Sequence, residues 1–134
     1  MTERASTSPK PGRVSVPRRE GVRVLFAFGV LPPFYDEDDD GVRAVHSAMT
    51  EAYADLRGQY GAQVLGTFDD YELNVGPSST WPWTSFILAD LPDVETAMAL
   101  CNVIRTTRLP NGHRIWRYIK LEARIGTALF FGND

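Results

Sequence analysis

The run VRVLFAFGVL, Val22–Leu31, reads as a strand that needs cover on both of its faces. Its residues are β-branched, aromatic or aliphatic, and the run has strand length. Pro32 and Pro33 stop it. Apolar side chains on alternate positions of both kinds leave no face for water. Helices of the same chain can cover one face, and something else must cover the other.

Working outward, FYDEDDDG (Phe34–Gly41) is an acidic loop, and one of Asp38, Asp39 or Asp40 is placed to cap a helix N-terminus. Val42, Val45, Met49, Ala52, Tyr53, Leu56 and Tyr60 follow at three- and four-residue steps, which predicts one helix ending near Gly58 and Gly61. AQVLGTFDDYELNVG (Ala62–Gly76) then gives two short alternating runs about a turn at Asp69–Asp70: a hairpin, or one long bent strand. A loop containing Trp81, Pro82 and Trp83 leads to a strand at Thr84–Ala89. Leu91-Pro92-Asp93 opens a second helix, with Val94, Ala97, Met98, Cys101 and Ile104 on one face and its end near Thr106. Asn111-Gly112 marks a turn. RIWRYIKLEARIG, Arg114–Gly126, reads as one long final strand.

The order is therefore β-α-β-β-α-β, and the expected class is α+β: a ferredoxin-like antiparallel sheet with two helices on one face. The free face of that sheet is best covered by a second copy of the chain, which predicts a homodimer of the dimeric α+β barrel type. Residues 1–20, MTERASTSPKPGRVSVPRRE, carry five basic and two acidic residues and no periodicity, and read as a disordered basic leader. Residues 21–134 read as a single domain.

The totals narrow the function classes. With 134 residues, 43% hydrophobic, 23% charged and net charge -3, the chain offers no global attraction to nucleic acid or an anionic membrane. No apolar run is long enough for a membrane helix, and the N-terminus lacks a secretory h-region. The single cysteine, Cys101, fits a reducing compartment, so a cytoplasmic protein is expected. Nucleophile-elbow, P-loop, zinc-protease and C-x-x-C motifs are missing, and neither a metal nor an organic cofactor is expected.

The candidate site residues come from local pattern. Period two along the last strand places Trp116, Tyr118, Lys120, Glu122 and Arg124 on one face. Charges there either pair, with each other or across the two-fold axis of a dimer interface, or form the polar end of a pocket. Asn102 and Arg105 lie in the last turn of the second helix, where Arg105 either complements the helix dipole or clamps a carboxylate. His46 sits at the edge of the first helical stripe, as a structural residue or a general base. Asp70 is a turn residue that could serve as a base over a pocket mouth. Trp81 and Trp83, stiffened by Pro82, offer flat surfaces for a planar ligand or plug one end of the fold.

Taken together, VRVLFAFGV…FYD, VLGTFDD, VGPSSTWPWTSFILADLPDVETAMALCNVIRTT and WRYIKLEARIGTAL resemble small proteins encoded in bacterial indole-3-acetate degradation clusters, the IacB-like family. The resemblance covers about Val22 to Leu129, and its sharpest pieces are G-P-S-x-x-x-P-W-T, C-N-x-x-R-T and W-x-Y-x-K-x-E-A-R-I-G. It implies a dimeric α+β barrel acting on oxidised indole-acetate intermediates without an organic cofactor. Trp83, Asn102, Arg105, Trp116, Tyr118, Lys120 and Glu122 are the matching positions. The basic leader and Trp81 depart from that pattern and leave room for another substrate. The expectation is a cofactor-independent isomerase, cyclase or oxygenase for a planar aromatic, indole-derived small acid. His46, Asp70, Tyr118 and Glu122 would move protons, and Trp81, Trp83, Asn102, Arg105, Trp116 and Lys120 would bind the substrate. The alternative is a non-catalytic accessory protein that carries an intermediate for a partner enzyme.

Overall fold

The computed structural model describes residues 21–77 and 83–133. β1 spans Val22–Val30 and alternates as expected. Val24, Phe26 and Phe28 enter the core, while Arg23, Leu25, Ala27 and Gly29 take the opposite face. A 3-10 turn at Pro32–Asp36 follows, and Asp38 caps α1 (Asp39–Ala52) by accepting a hydrogen bond from the Gly41 amide at 2.8 Å.

The long first helix expected from the stripe is two pieces. Asp55 adopts a left-handed backbone (φ 49°) and separates α1 from α2 (Leu56–Tyr60). Its carboxylate accepts from the Gly58 amide, which compensates for the unusual backbone. The stripe continues across the break because Val45 and Leu56 reach the same core.

β2 (Gln63–Asp69) pairs with β3 (Ser85–Leu91), with a register shift between Val64 and Gly66. The second alternating run, Tyr71, Leu73 and Val75, forms no strand, and all three side chains stand in solvent. Asp93 caps α3 (Val94–Thr106), which buries Ala97, Leu100 and Ile104.

The last strand is shorter than its sequence pattern. Ile115–Arg117 is a 3-10 turn, and β4 runs only from Ile119 to Gly126. The four strands make one antiparallel sheet in the order β2-β3-β1-β4, so the protein is α+β with three helices. Residues of α1, α2 and α3 join one core with Val24, Phe26 and Phe28, so the helices lie on one side of the sheet.

The other side shows what the described residues leave open. β2 is exposed at all seven positions. Phe68 and Phe86 meet across β2 and β3 at 6.1 Å on this face, beside Leu88 and Leu25. Arg23 and Asp90, directly opposite in register, form a bidentate ion pair here at 2.9 and 3.0 Å. No helix among the described residues is long and apolar enough to cross a membrane.

Candidate functional site

A cavity of about 330 Å³ opens at one end of the helix–sheet layer. Met49, Thr50 and Tyr53 of α1 form its roof, and Phe28, Val30, Ser85, Ile87 and Ile119 its floor. It exists because the Tyr53 ring stands edge-on to Phe28 (5.6 Å between centroids), with its hydroxyl donating to the Leu100 carbonyl at 2.9 Å. That anchoring holds α1 away from the strand ends. Burial pushes the Tyr53 phenol up from its ordinary pKa, so it stays a neutral donor. Burial likewise raises the Cys101 thiol, which makes it a poor nucleophile.

A second element lies on the other side of the sheet. Lys120 faces Gly29 across the β1–β4 ladder, on the face opposite to that of its core neighbour Ile119, and no Cβ stands in its way. The Lys120 ammonium lies 4.7 Å from the centroid of the Trp83 ring. Two residues along, Glu122 accepts from Arg124 at 2.9 Å, so these two charges satisfy each other. Lys120 has no carboxylate within ion-pair distance among the described residues. The result is a half-buried ammonium over an indole, separate from the cavity.

The other expected site residues disperse. Trp116 and Tyr118 do not share the Lys120 face, because the 3-10 turn at Ile115–Arg117 breaks the period-two alternation. Tyr118 is fully buried; its hydroxyl donates to Glu37 Oε2 and accepts from Asn111 Nδ2, both at 3.0 Å. Gly41 leaves room for that carboxylate, since a Cβ there would come within 2.1 Å of Glu37 Oε1. Tyr118 is thus a structural tie between the α1 entry and the Asn111 turn. Arg105 stacks over Trp116 at 5.1 Å and donates to Asn102 Oδ1 at 3.3 Å, which brings three expected residues together at the end of α3. His46 is exposed and stacked on Phe34, 6.2 Å between ring centroids. Asp70 stands at the end of β2, its amide donating to the Thr84 carbonyl. Trp81 lies outside the described residues, as does the leader 1–20.

The four proposed proton movers, His46, Asp70, Tyr118 and Glu122, therefore do not converge within one chain. The cavity residues Met49, Thr50, Tyr53 and Ser85 were missed as site residues because each reads as part of a stripe or a strand edge. The available signal was two hydroxyls, Thr50 and Tyr53, three residues apart on one helix. Among the described residues no three of His, Cys, Asp and Glu gather as a cation site.

No family model, no curated protein and no solved structure matches this chain. The functional reading therefore rests on the Lys120–Trp83 pair and the groups around it.

Proposed function

We propose that the chain binds a planar aromatic small acid of the indole type, with the ring on Trp83 and the carboxylate on Lys120, on the side of the sheet away from the helices. The observation that carries this is the Lys120 ammonium held 4.7 Å from the Trp83 ring centroid, with no carboxylate within ion-pair distance among the described residues. A planar ring packs on an indole face, and a carboxylate pairs with an ammonium. Holding such a molecule for a partner enzyme is the function this pair supports best.

A second reading keeps catalysis. Lys120 and Glu122 share the open side of the sheet, and a chamber closed by a second copy would set both beside the ligand. That arrangement fits a cofactor-independent isomerase, cyclase or oxygenase. We propose the same second copy as the cover for the sheet, in a ferredoxin-like, dimeric α+β barrel arrangement. The support is the exposed Phe68 and Leu88, the wholly exposed β2, and Tyr71, Leu73 and Val75, each more than three-quarters exposed.

The test is a titration with indole acids read by tryptophan fluorescence. Saturable quenching is expected, reduced about tenfold in affinity by Lys120→Gln, the loss of one charge-assisted contact. Methylating the ligand's carboxylate should cost as much in wild type and nothing further in the variant. Conversion of bound ligand by the purified protein would decide for catalysis. Equal binding by wild type and Lys120→Gln would remove the ammonium from the site.

A further inference from the structure

From Thr96 to Leu121 the chain has no acidic residue and five cations, Arg105, Arg108, Arg114, Arg117 and Lys120. The fold gathers the first four near the C-terminal end of α3 and the turn after it. Arg108 and Arg114 are directly opposed partners of an isolated antiparallel bridge. The flanking hydrogen bonds, Leu109 N to His113 O at 2.8 Å and Ile115 N to Thr107 O at 3.1 Å, make this a non-hydrogen-bonded pair. At such a pair facing side chains come closest, with Cα atoms about 4.5 Å apart, and like charges there destabilise the structure.

Among the described residues neither arginine is paired with a carboxylate. The ion pairs among the described residues are Arg23–Asp90, Arg43–Asp40 and Arg124–Glu122, and none includes Arg105, Arg108, Arg114 or Arg117. All four arginines are exposed. Two are already aimed: Arg108 donates to the Gly112 carbonyl at 2.9 Å, and Arg105 lies flat over Trp116. Each guanidinium keeps further N–H donors for an oxyanion.

We infer that the Arg108–Arg114 bridge, with Arg105 beside it, is a binding site for a small, multiply charged phosphate, of which pyrophosphate is the simplest form. It is independent of the Lys120–Trp83 pair. The anion supplies the negative charge that the opposed arginines lack, and the guanidinium forks match its oxygens. A long phosphodiester chain fits less well, because the acidic run Asp36–Asp40 adjoins this region through the Glu37–Tyr118 hydrogen bond and would repel it.

The experiment is thermal unfolding of the full chain in low-salt buffer with pyrophosphate, against sodium chloride at matched ionic strength. Pyrophosphate should raise the melting temperature saturably, and chloride should not reproduce the rise. Without anion, Arg114→Gln should melt above wild type, because a like-charge opposition has been removed. With pyrophosphate the same variant should lose most of the rise, with affinity down about tenfold. Arg108→Gln is the second variant and should behave alike, so a folding defect in one leaves the other to decide. The inference is overturned if both variants melt at or below wild type without anion and keep the full pyrophosphate response. It is equally overturned if chloride matches pyrophosphate, or if a single-stranded oligonucleotide binds and pyrophosphate does not.

Discussion

The chain builds the same chemical pair twice, a cation over an indole, and uses the two differently. Arg105 over Trp116 closes the end of α3 in a stretch free of acids, next to arginines in the same predicament. Lys120 over Trp83 stands on the open side of the sheet, with the nearest charges on its strand, Glu122 and Arg124, satisfying each other. The first pair belongs to a surface with surplus positive charge, which suits a polyvalent anion in water. The second is a single half-buried charge beside an aromatic ring, which suits an amphipathic monoacid. A cation–indole contact of about 0.5–2 kcal/mol organises a side chain but does not choose its ligand. The surroundings choose it.

Both pairs hang from one residue. Tyr118 lies in the chain between Trp116 and Lys120, fully buried and tied to Glu37 and Asn111. The largest expected effect is therefore Tyr118→Ala, which opens a cavity and orphans two polar groups. It should destabilise by about 3–5 kcal/mol and weaken both sites together, measured by urea unfolding and by the two ligand titrations. Tyr118→Phe keeps the ring and should cost about 0.5–1.5 kcal/mol, since water can reach Glu37 and Asn111 once the hydroxyl is gone. Loss of one site with the other untouched in Tyr118→Ala would show that the pairs do not depend on a common anchor.

The next effect is a cross-comparison. Lys120→Gln should weaken the aromatic acid about tenfold and leave pyrophosphate unchanged, and Arg105→Gln should do the reverse more mildly, about threefold, since Arg105 flanks the opposed pair. If each variant weakened both ligands equally, the two pairs would serve one continuous site, and the separation drawn from the fold would fail.

Sequence pattern reached much of this arrangement, for reasons visible in particular residues. β1, the opening of the second helix at Leu91-Pro92-Asp93, its end near Thr106 and the placement of a cap among Asp38–Asp40 follow from local chemistry, and the structure has them. The failure falls at Ile115–Tyr118. There the apolar and polar residues go on alternating in sequence while the backbone turns through a 3-10 segment, so pattern alone put Trp116 and Tyr118 on the Lys120 face. The turned backbone buries Ile115 and sets the Tyr118 hydroxyl on Glu37, 81 residues away, and no local window contains that contact. Tyr71, Leu73 and Val75 fail similarly: they alternate like a strand but find no partner strand within the chain. The cavity was not legible because it is made by the Tyr53 hydroxyl reaching the Leu100 carbonyl, again a contact between distant segments.

The smallest effect separates the stability of α3 from the site at its end. Asp93 accepts from the Thr96 amide at 2.8 Å and from its hydroxyl at 2.6 Å, and these bonds hold its carboxyl below the ordinary range. A folded pKa below the unfolded one stabilises the protein above the unfolded value, and the stabilisation is lost as pH falls through the folded one. Asp93→Asn keeps the cap geometry but removes the charge. The variant should melt slightly below wild type at neutral pH, and the two curves should converge below about pH 4. Neither ligand should notice at neutral pH. Ala97, Leu100 and Ile104 are buried along the helix and hold its far end, where Asn102 and Arg105 stand, regardless of the first turn. A loss of pyrophosphate affinity in Asp93→Asn would mean that the arginine surface rests on the integrity of the whole helix. The difference between the two cation–indole pairs would then be one of support as well as of surroundings.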